Sequence, residues 1–196
     1  MPVAAIVPIR SFAGGKERLS AALTPRIRMQ IGMTMALRTV TAAESAEMLP
    51  VVVTSDEDVA SWAIKLGIPV VAEEGGGLNA AARVGVDWAT ESDLQWLILH
   101  SDLPLVIAAE LADVADGIQR GAAVLAPSAD GGTTALSAPE PIVFRYGNGS
   151  AHRHLSQLSN PMIVARTGLL HDLDSIDDLH AATAHPEGGW LRDLIS

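Results

Sequence analysis

Three acidic and three basic side chains in this sequence could do chemistry on phosphate esters. Asp102 follows the apolar run Trp96–Leu99, three positions after its last residue. A carboxylate standing there, at the top of a central strand, is a hard oxygen ligand of the kind a magnesium ion takes, with water and substrate phosphates completing its shell. A turn or helix-cap role is the other reading, because Pro104 and a helix follow closely. The run His171-Asp172-Leu173-Asp174 offers a second acidic pair. On an extended segment Asp172 and Asp174 point to the same side, although Asp174 and Ser175 could also cap the last helix. Three carboxylates around one point suit a one- or two-metal arrangement. Arg10, Lys16 and Arg18 share the loop after the first strand, where they could bind triphosphate oxygens and stabilise developing charge.

Other motifs narrow the chemistry by exclusion. Gly14-Gly15-Lys16-Glu17 has neither Walker A spacing nor a hydroxyl after the lysine, and Gly75-Gly76-Gly77-Leu78-Asn79 does not fit G-x-G-x-x-G. The second run could still let backbone approach a base; a plain flexible loop is the alternative. Asp130-Gly131-Gly132-Thr133-Thr134 and Gly147-Asn148-Gly149-Ser150 offer N–H groups and hydroxyls for phosphate or carboxylate oxygens. Both are also ordinary turn compositions. His152 and His154 would diverge by about 200° on a helix, so the histidines form no metal set. No serine sits in G-x-S-x-G, which disfavours a serine hydrolase.

The elements that must carry these residues read as alternating strands and helices. Val3–Pro8, Val51–Val53, Ile68–Ala72, Trp96–Leu99 and Ala122–Ala126 are short buried-strand runs. Between them lie amphipathic stretches. One starts at Thr24-Pro25 with Met29, Met33, Ala36, Leu37 and Val40 inward; the next starts at Ser55-Asp56-Glu57 and ends near Gly67. The order β-α-β-α-β-α-β-α-β predicts a mainly parallel sheet with helices on both faces, whose ligands bind beyond the strands' carboxyl ends. After Pro127 the rhythm changes. Thr134–Ser137 and Ile142–Phe144 read as short strands of an antiparallel insertion in the C-terminal half. A short helix near His152–Leu158, a strand at Met162–Ala165 and a final helix capped by Ser175 complete the chain.

Composition bounds the class. The 196 residues are 48% apolar but only 4% aromatic, which suits Ala, Val, Leu and Ile helices on a buried sheet. One domain over residues 1–196 is expected. There is no cysteine, hence no disulfide and no thiolate chemistry. The short apolar N-terminus is neither a signal h-region nor a membrane span, so a cytoplasmic protein is expected. A net charge of −10 argues against nucleic-acid or anionic-membrane partners. Residues 1–40 nevertheless hold six of the thirteen Lys and Arg and one of the 23 acids, a basic segment able to hold a small anion. A homodimer is compatible with the sequence.

Taken together, the segments IVPIR, GGKERLS, GGGLNAA, HSDLPLV, PSADGGTTAL, FRYGNGSAHRH and LLHDLDSIDDL resemble, in order and across nearly the whole chain, the 2-phospho-L-lactate/phosphoenolpyruvate guanylyltransferase family. The resemblance implies a three-layer α/β/α nucleotidyltransferase fold like that of nucleotide-sugar-forming enzymes. It implies a magnesium-dependent transfer of GMP from GTP to a small phosphorylated acid, in biosynthesis of the deazaflavin coenzyme F(420). By the same resemblance Asp102, Asp172 and Asp174 hold magnesium, and Thr134, Gly147 and Ser150 hold the acceptor. Arg10, Lys16 and Arg18 lie near the triphosphate, while Gly76, Gly77, Leu78 and Asn79 lie near the nucleotide. Arg10 stands where lysine is common, Glu17 where a small residue is common, and Thr134 where many members carry asparagine. The threonine leans the acceptor towards phosphoenolpyruvate rather than 2-phospho-L-lactate or 3-phosphoglycerate. Two rivals are a relative of the same fold acting on a sugar phosphate or molybdopterin-type acceptor, and a catalytically silent nucleotide-binding domain.

Overall fold

The computed structural model describes residues 1–195. Seven strands form one sheet among them: β1 (Val3–Pro8), β2 (Leu49–Thr54), β3 (Val70–Ala72), β4 (Gln95–Leu99), β5 (Val124–Pro127), β6 (Thr133–Ser137) and β7 (Met162–Ile163). Their order is β3-β2-β1-β4-β6-β5-β7. All pairings are parallel except those of β6, which runs antiparallel to both β4 and β5. The expected antiparallel insertion is therefore β6 alone, returning from β5 by a tight turn to lie between β4 and β5.

Strand alternation sorts the core into two layers. Ala4 and Ile6 of β1 face α3 (Gly77–Glu91), whereas Val3 and Ala5 face α1 (Pro25–Ser45) and α4 (Ala108–Gln119). Val7 also packs on the α1 side, with α2 (Glu57–Lys65) beyond it. Helices on both faces make the three-layer α/β/α arrangement. Gly85 marks the closest approach: a Cβ there would stand 2.4 Å from Ile6 Cγ2 and 3.0 Å from Val53 Cγ2. Gly85→Ala should therefore force α3 off the sheet and cost about 1–3 kcal/mol, read as a lowered denaturant midpoint.

The local signals behind these helices are visible in their caps. Thr24 Oγ1 accepts from Ile27 N–H ahead of Pro25, and Asp56 Oδ1 accepts from Val59 N–H. Ser175 and Asp178 form a reciprocal capping box. Gly67 ends α2 at φ 75°.

Five expectations need correction. Met29 and Leu37 are exposed on α1, while Ile31 and Met35 are buried. The face differs because α1 also packs against the C-terminal elements, which place Leu173, Leu179 and Leu191 on it. Ile142–Phe144 is not a strand. Pro139 and Pro141 remove donors next to it, and the Gln157 amide pairs with the N–H and C=O of Val143 instead of a neighbouring strand. The short helix is α5 (Ser150–Leu155), and the last paired strand stops at Ile163. The helix capped by Ser175, α7 (Ile176–Ala184), is not the last: α6 (Thr167–Leu170) precedes it and α8 (Gly189–Ile195) follows. No described helix is long and apolar enough to cross a membrane.

Candidate active site

The loops after β1, β2, β3 and β4 leave a cleft of about 600 Å³ at the carboxyl edge of the sheet. Arg10 lies on one wall, Gly75, Gly76, Gly77 and Leu78 on another, and His100, Ser101 and Asp102 at the end of β4. The cleft is thus built where the β-α order predicts a ligand.

Lys16 is the centre of the charge arrangement. Its backbone takes a left-handed φ of 56°, unusual for a lysine, and its side chain is nine-tenths buried. Nζ donates to Asp102 Oδ2 at 2.8 Å and to Asp174 Oδ1 at 3.0 Å. Burial opposes the ammonium charge, but the two carboxylates outweigh it and hold Lys16 above the usual lysine range. Burial also opposes ionised Asp102; Lys16, helped by His100, holds that carboxyl below the usual carboxylate range. Asp102 does not cap a helix: Ile107 occupies that position ahead of α4. Its Oδ1 is buried with no hydrogen-bond partner.

The acidic pair arrives from the C-terminal part of the chain. Leu173 is fully buried and its N–H donates to the Asp102 carbonyl at 3.0 Å, which fastens the segment to the β4 loop. Leu173 turns inward between Asp172 and Asp174, and Asp174 reaches Lys16. Asp172 is pushed up to about 6, first by burial and then by the negative charges of Asp102, Asp130 and Asp174. The three aspartates therefore share one electrostatic site. Among the described residues no three acidic or imidazole groups form a ready-made metal cage; a lysine ammonium stands between two of them.

Asp172 carries a stability consequence. Its native pKa lies above that of an unfolded aspartate, about 3.9, so the folded state binds more protons between these values. The cost of ionised Asp172 is absent below about pH 4 and complete above about pH 6. Asp172→Asn should then stabilise the metal-free protein by about 1 kcal/mol at pH 8, after allowing for solvent screening, and by nothing at pH 4. Thermal unfolding at the two pH values checks both arms.

The remaining expected residues divide. Arg10 and Arg18 are exposed; the Ser128 hydroxyl and Gly132 N–H hold the Asp130 carboxyl below its usual range, with a smaller pull from Arg18. Gly76 and Gly77 reach the cleft, with the loop held by Glu73, whose Oε2 accepts from Gly75 N–H at 2.8 Å and Gly76 N–H at 3.1 Å. Leu78 lines the cleft, and the Asn79 Oδ1 next to it accepts from Tyr146 N–H at 2.7 Å. Thr134 is buried, and its hydroxyl faces the carbonyls of Leu169 (2.6 Å) and Ala126 (3.2 Å). Ser150 is also buried and donates to Thr133 Oγ1 at 3.1 Å. Gly147 has φ 113°, and the Arg153 guanidinium clamps its turn through the carbonyls of Arg145, Gly147 and Asn148.

His154 organises this second wall. Its Nε2 accepts from Arg145 N–H at 2.9 Å and its Nδ1 lies 3.0 Å from Thr133 Oγ1. Burial, followed by the Arg153 and His100 charges, pushes it down to about 4, so it is neutral at pH 7. His100, Glu73 and Tyr146 also stand here, residues to which motif spacing alone assigns no role. His100 sits immediately before Ser101-Asp102 and packs its ring on Tyr146, 5.4 Å between centroids. Burial, only partly offset by Asp102, pushes its imidazole down. Its place just past β4 was the available signal, as Glu73's place just past β3 was for that residue.

Residues 3–179 match the family model described as guanylyl transferase CofC like. The chain belongs to that family. A 2-phospho-L-lactate guanylyltransferase of Methanothermobacter thermautotrophicus is 28% identical, over 100% of this chain and 90% of the relative. A phosphoenolpyruvate guanylyltransferase of Rubrobacter xylanophilus is 35% identical, over 91% and 92% of the two chains. Among solved structures, a protein of Desulfovibrio desulfuricans assigned as a nucleotide-diphospho-sugar transferase superposes with a TM-score of 0.76 at 13% identity, covering 100% of this chain and 97% of the other. A nucleotidyl transferase of Methanothermobacter thermautotrophicus gives 0.64 at 18%, over 98% and 99%. At those identities the structural likeness speaks for the fold. For this guanylyl transferase family member, the acidic cluster and the glycine-loop cleft lie together at the carboxyl edge of the sheet.

Proposed function

We propose that this guanylyltransferase moves GMP from GTP to the phosphate of phosphoenolpyruvate, or alternatively of 2-phospho-L-lactate, with release of pyrophosphate, in coenzyme F(420) biosynthesis. The observation that carries the reading is the meeting of Lys16, Asp102 and Asp174, with Asp172 in the same field, at the charged end of a nucleotide-sized cleft. Relatives bearing both acceptor names match nearly the full chain.

Magnesium is the proposed cofactor. Asp102, Asp172 and Asp174 would hold it, and their chemistry fits: all are hard oxygen donors, Asp102 Oδ1 is buried without a partner, and Asp172 lies in a surplus of negative charge. When bound, the ion supplies charge neutralisation of the triphosphate. The chain's own residues do the rest by placement. Lys16, Arg10 and Arg18 face phosphate oxygens and stabilise charge as it moves towards pyrophosphate. An oxygen of the acceptor phosphate attacks the GTP α-phosphorus, and the bond from that phosphorus to the α,β-bridging oxygen breaks. The acceptor is already anionic at neutral pH, so no protein nucleophile or general base is required and alignment dominates.

The acceptor is proposed to sit against the Gly147–Ser150 turn and the end of β6. The Thr134 hydroxyl, turned to the Leu169 and Ala126 carbonyls, serves that wall by holding α6 in place. Pyrophosphate release from GTP, CTP and ATP, each with and without phosphoenolpyruvate, tests the proposal. Release is expected only with GTP and acceptor together; release without acceptor would indicate hydrolysis and contradict it.

A further inference from the structure

Two carboxylates line the cleft, Asp102 and Glu73. Asp102 is paired with Lys16. Glu73 spends one oxygen, Oε2, on the N–H groups of Gly75 and Gly76; none of the described residues hydrogen-bonds Oε1. Its backbone is fixed at the sheet edge, where Glu73 N–H donates to the Thr54 carbonyl at 3.1 Å. A carboxylate held in place with one oxygen free of protein donors can accept from a ligand that displaces water from the cleft.

Sheet order sets how far this carboxylate lies from the reacting end. Glu73 follows β3 and Asp102 follows β4, with β2 and β1 between them. Three strand spacings amount to about 14 Å. A nucleoside triphosphate laid across the strand ends, α-phosphate beside Asp102, brings its base to the β2–β3 end of the cleft. Guanine presents two adjacent donors on its Watson–Crick edge, N1–H and the 2-amino group, which a carboxylate accepts. Adenine would turn the N1 lone pair towards the same negative oxygen.

We propose that Glu73 reads the Watson–Crick edge of guanine and thereby sets the nucleotide preference. The proposal rests on the guanylyl-transfer reading above. Charge-assisted hydrogen bonds of this kind are worth roughly ten- to a hundredfold in binding.

The test measures kcat/KM with phosphoenolpyruvate for GTP, ITP, XTP and ATP in the wild type, Glu73→Ala and Glu73→Gln. ITP lacks the 2-amino group, and XTP carries a carbonyl in its place. Wild type should prefer GTP over ITP. Glu73→Ala should lower GTP use roughly ten- to a hundredfold and bring the GTP-to-ITP ratio close to one. Glu73→Gln retains an oxygen for the Gly75 and Gly76 N–H groups and gains an amide donor, so its use of XTP relative to GTP should rise. A loosened loop would lower GTP and ITP by the same factor; an unchanged ratio in both variants overturns the proposal. Absence of any acceptor-dependent guanylyl product in the wild type would instead overturn the transfer reading, and this proposal with it.

Discussion

Replacing Asp102 by asparagine is expected to lower turnover at saturating GTP and acceptor by roughly three orders of magnitude and to leave the fold in place. The substitution keeps side-chain size, and the backbone link from Leu173 N–H to the residue-102 carbonyl does not depend on the side chain. What it removes is the central charge. Asp102 is the carboxylate that meets Lys16 at 2.8 Å, lies 3.9 Å from His100 Nδ1 and raises the pKa of Asp172. A neutral amide there weakens cation binding and releases Lys16 to Asp174 alone. The measurement is kcat across a magnesium titration, with thermal unfolding as the control. Wild-type-like turnover with an unaltered magnesium requirement would sink the role given to Asp102.

Lys16→Met should lower both turnover and metal-free stability. Turnover should fall by at least about a hundredfold, because a positive charge beside the transferring phosphoryl group is lost. Without divalent metal the protein should also lose about 3 kcal/mol, the usual consequence of leaving one partner of a buried ion pair behind. Magnesium should then raise the melting temperature of the variant more than that of the wild type, since an ion no longer competes with the ammonium for Asp102 and Asp174. Equal magnesium-induced shifts in the two proteins would contradict the competition. Unfolding curves with and without magnesium, beside pyrophosphate-release assays, separate the two effects.

Much of the site was legible because its residues follow strands. The apolar run before Asp102 placed it at a strand end, and the parity of Asp172 and Asp174 suggested one shared side; the burial of Leu173 between them is a finding of the structure. The meeting itself was not legible. Lys16 is 86 residues from Asp102 and 158 from Asp174, and only the sheet order brings β1 beside β4. Resemblance, rather than spacing, joined them beforehand. Periodicity failed on α1, where Met29 and Leu37 obey the helical stripe yet face solvent, because packing by the C-terminal helices chose a different face. It failed at Ile142–Phe144 because an apolar run without ladder partners looks like a strand until the neighbouring prolines are weighed. Thr134 illustrates another limit: its type suits a ligand, but two carbonyls within reach claim the hydroxyl. No composition rule shows that competition. The Asn79 side-chain oxygen likewise takes a backbone N–H 67 residues away.

The chemistry proposed for this site joins a guanylyl group to a phosphorylated acid. Mass spectrometry of the products from GTP, with phosphoenolpyruvate, 2-phospho-L-lactate and 3-phosphoglycerate in competition, tests it most directly. The expected result is a guanosine diphosphate ester whose mass includes the acceptor, with the phosphoenolpyruvate adduct most abundant and one pyrophosphate formed per adduct. Formation of GMP or GDP alone, with no adduct of any of the three acids, would contradict the claim.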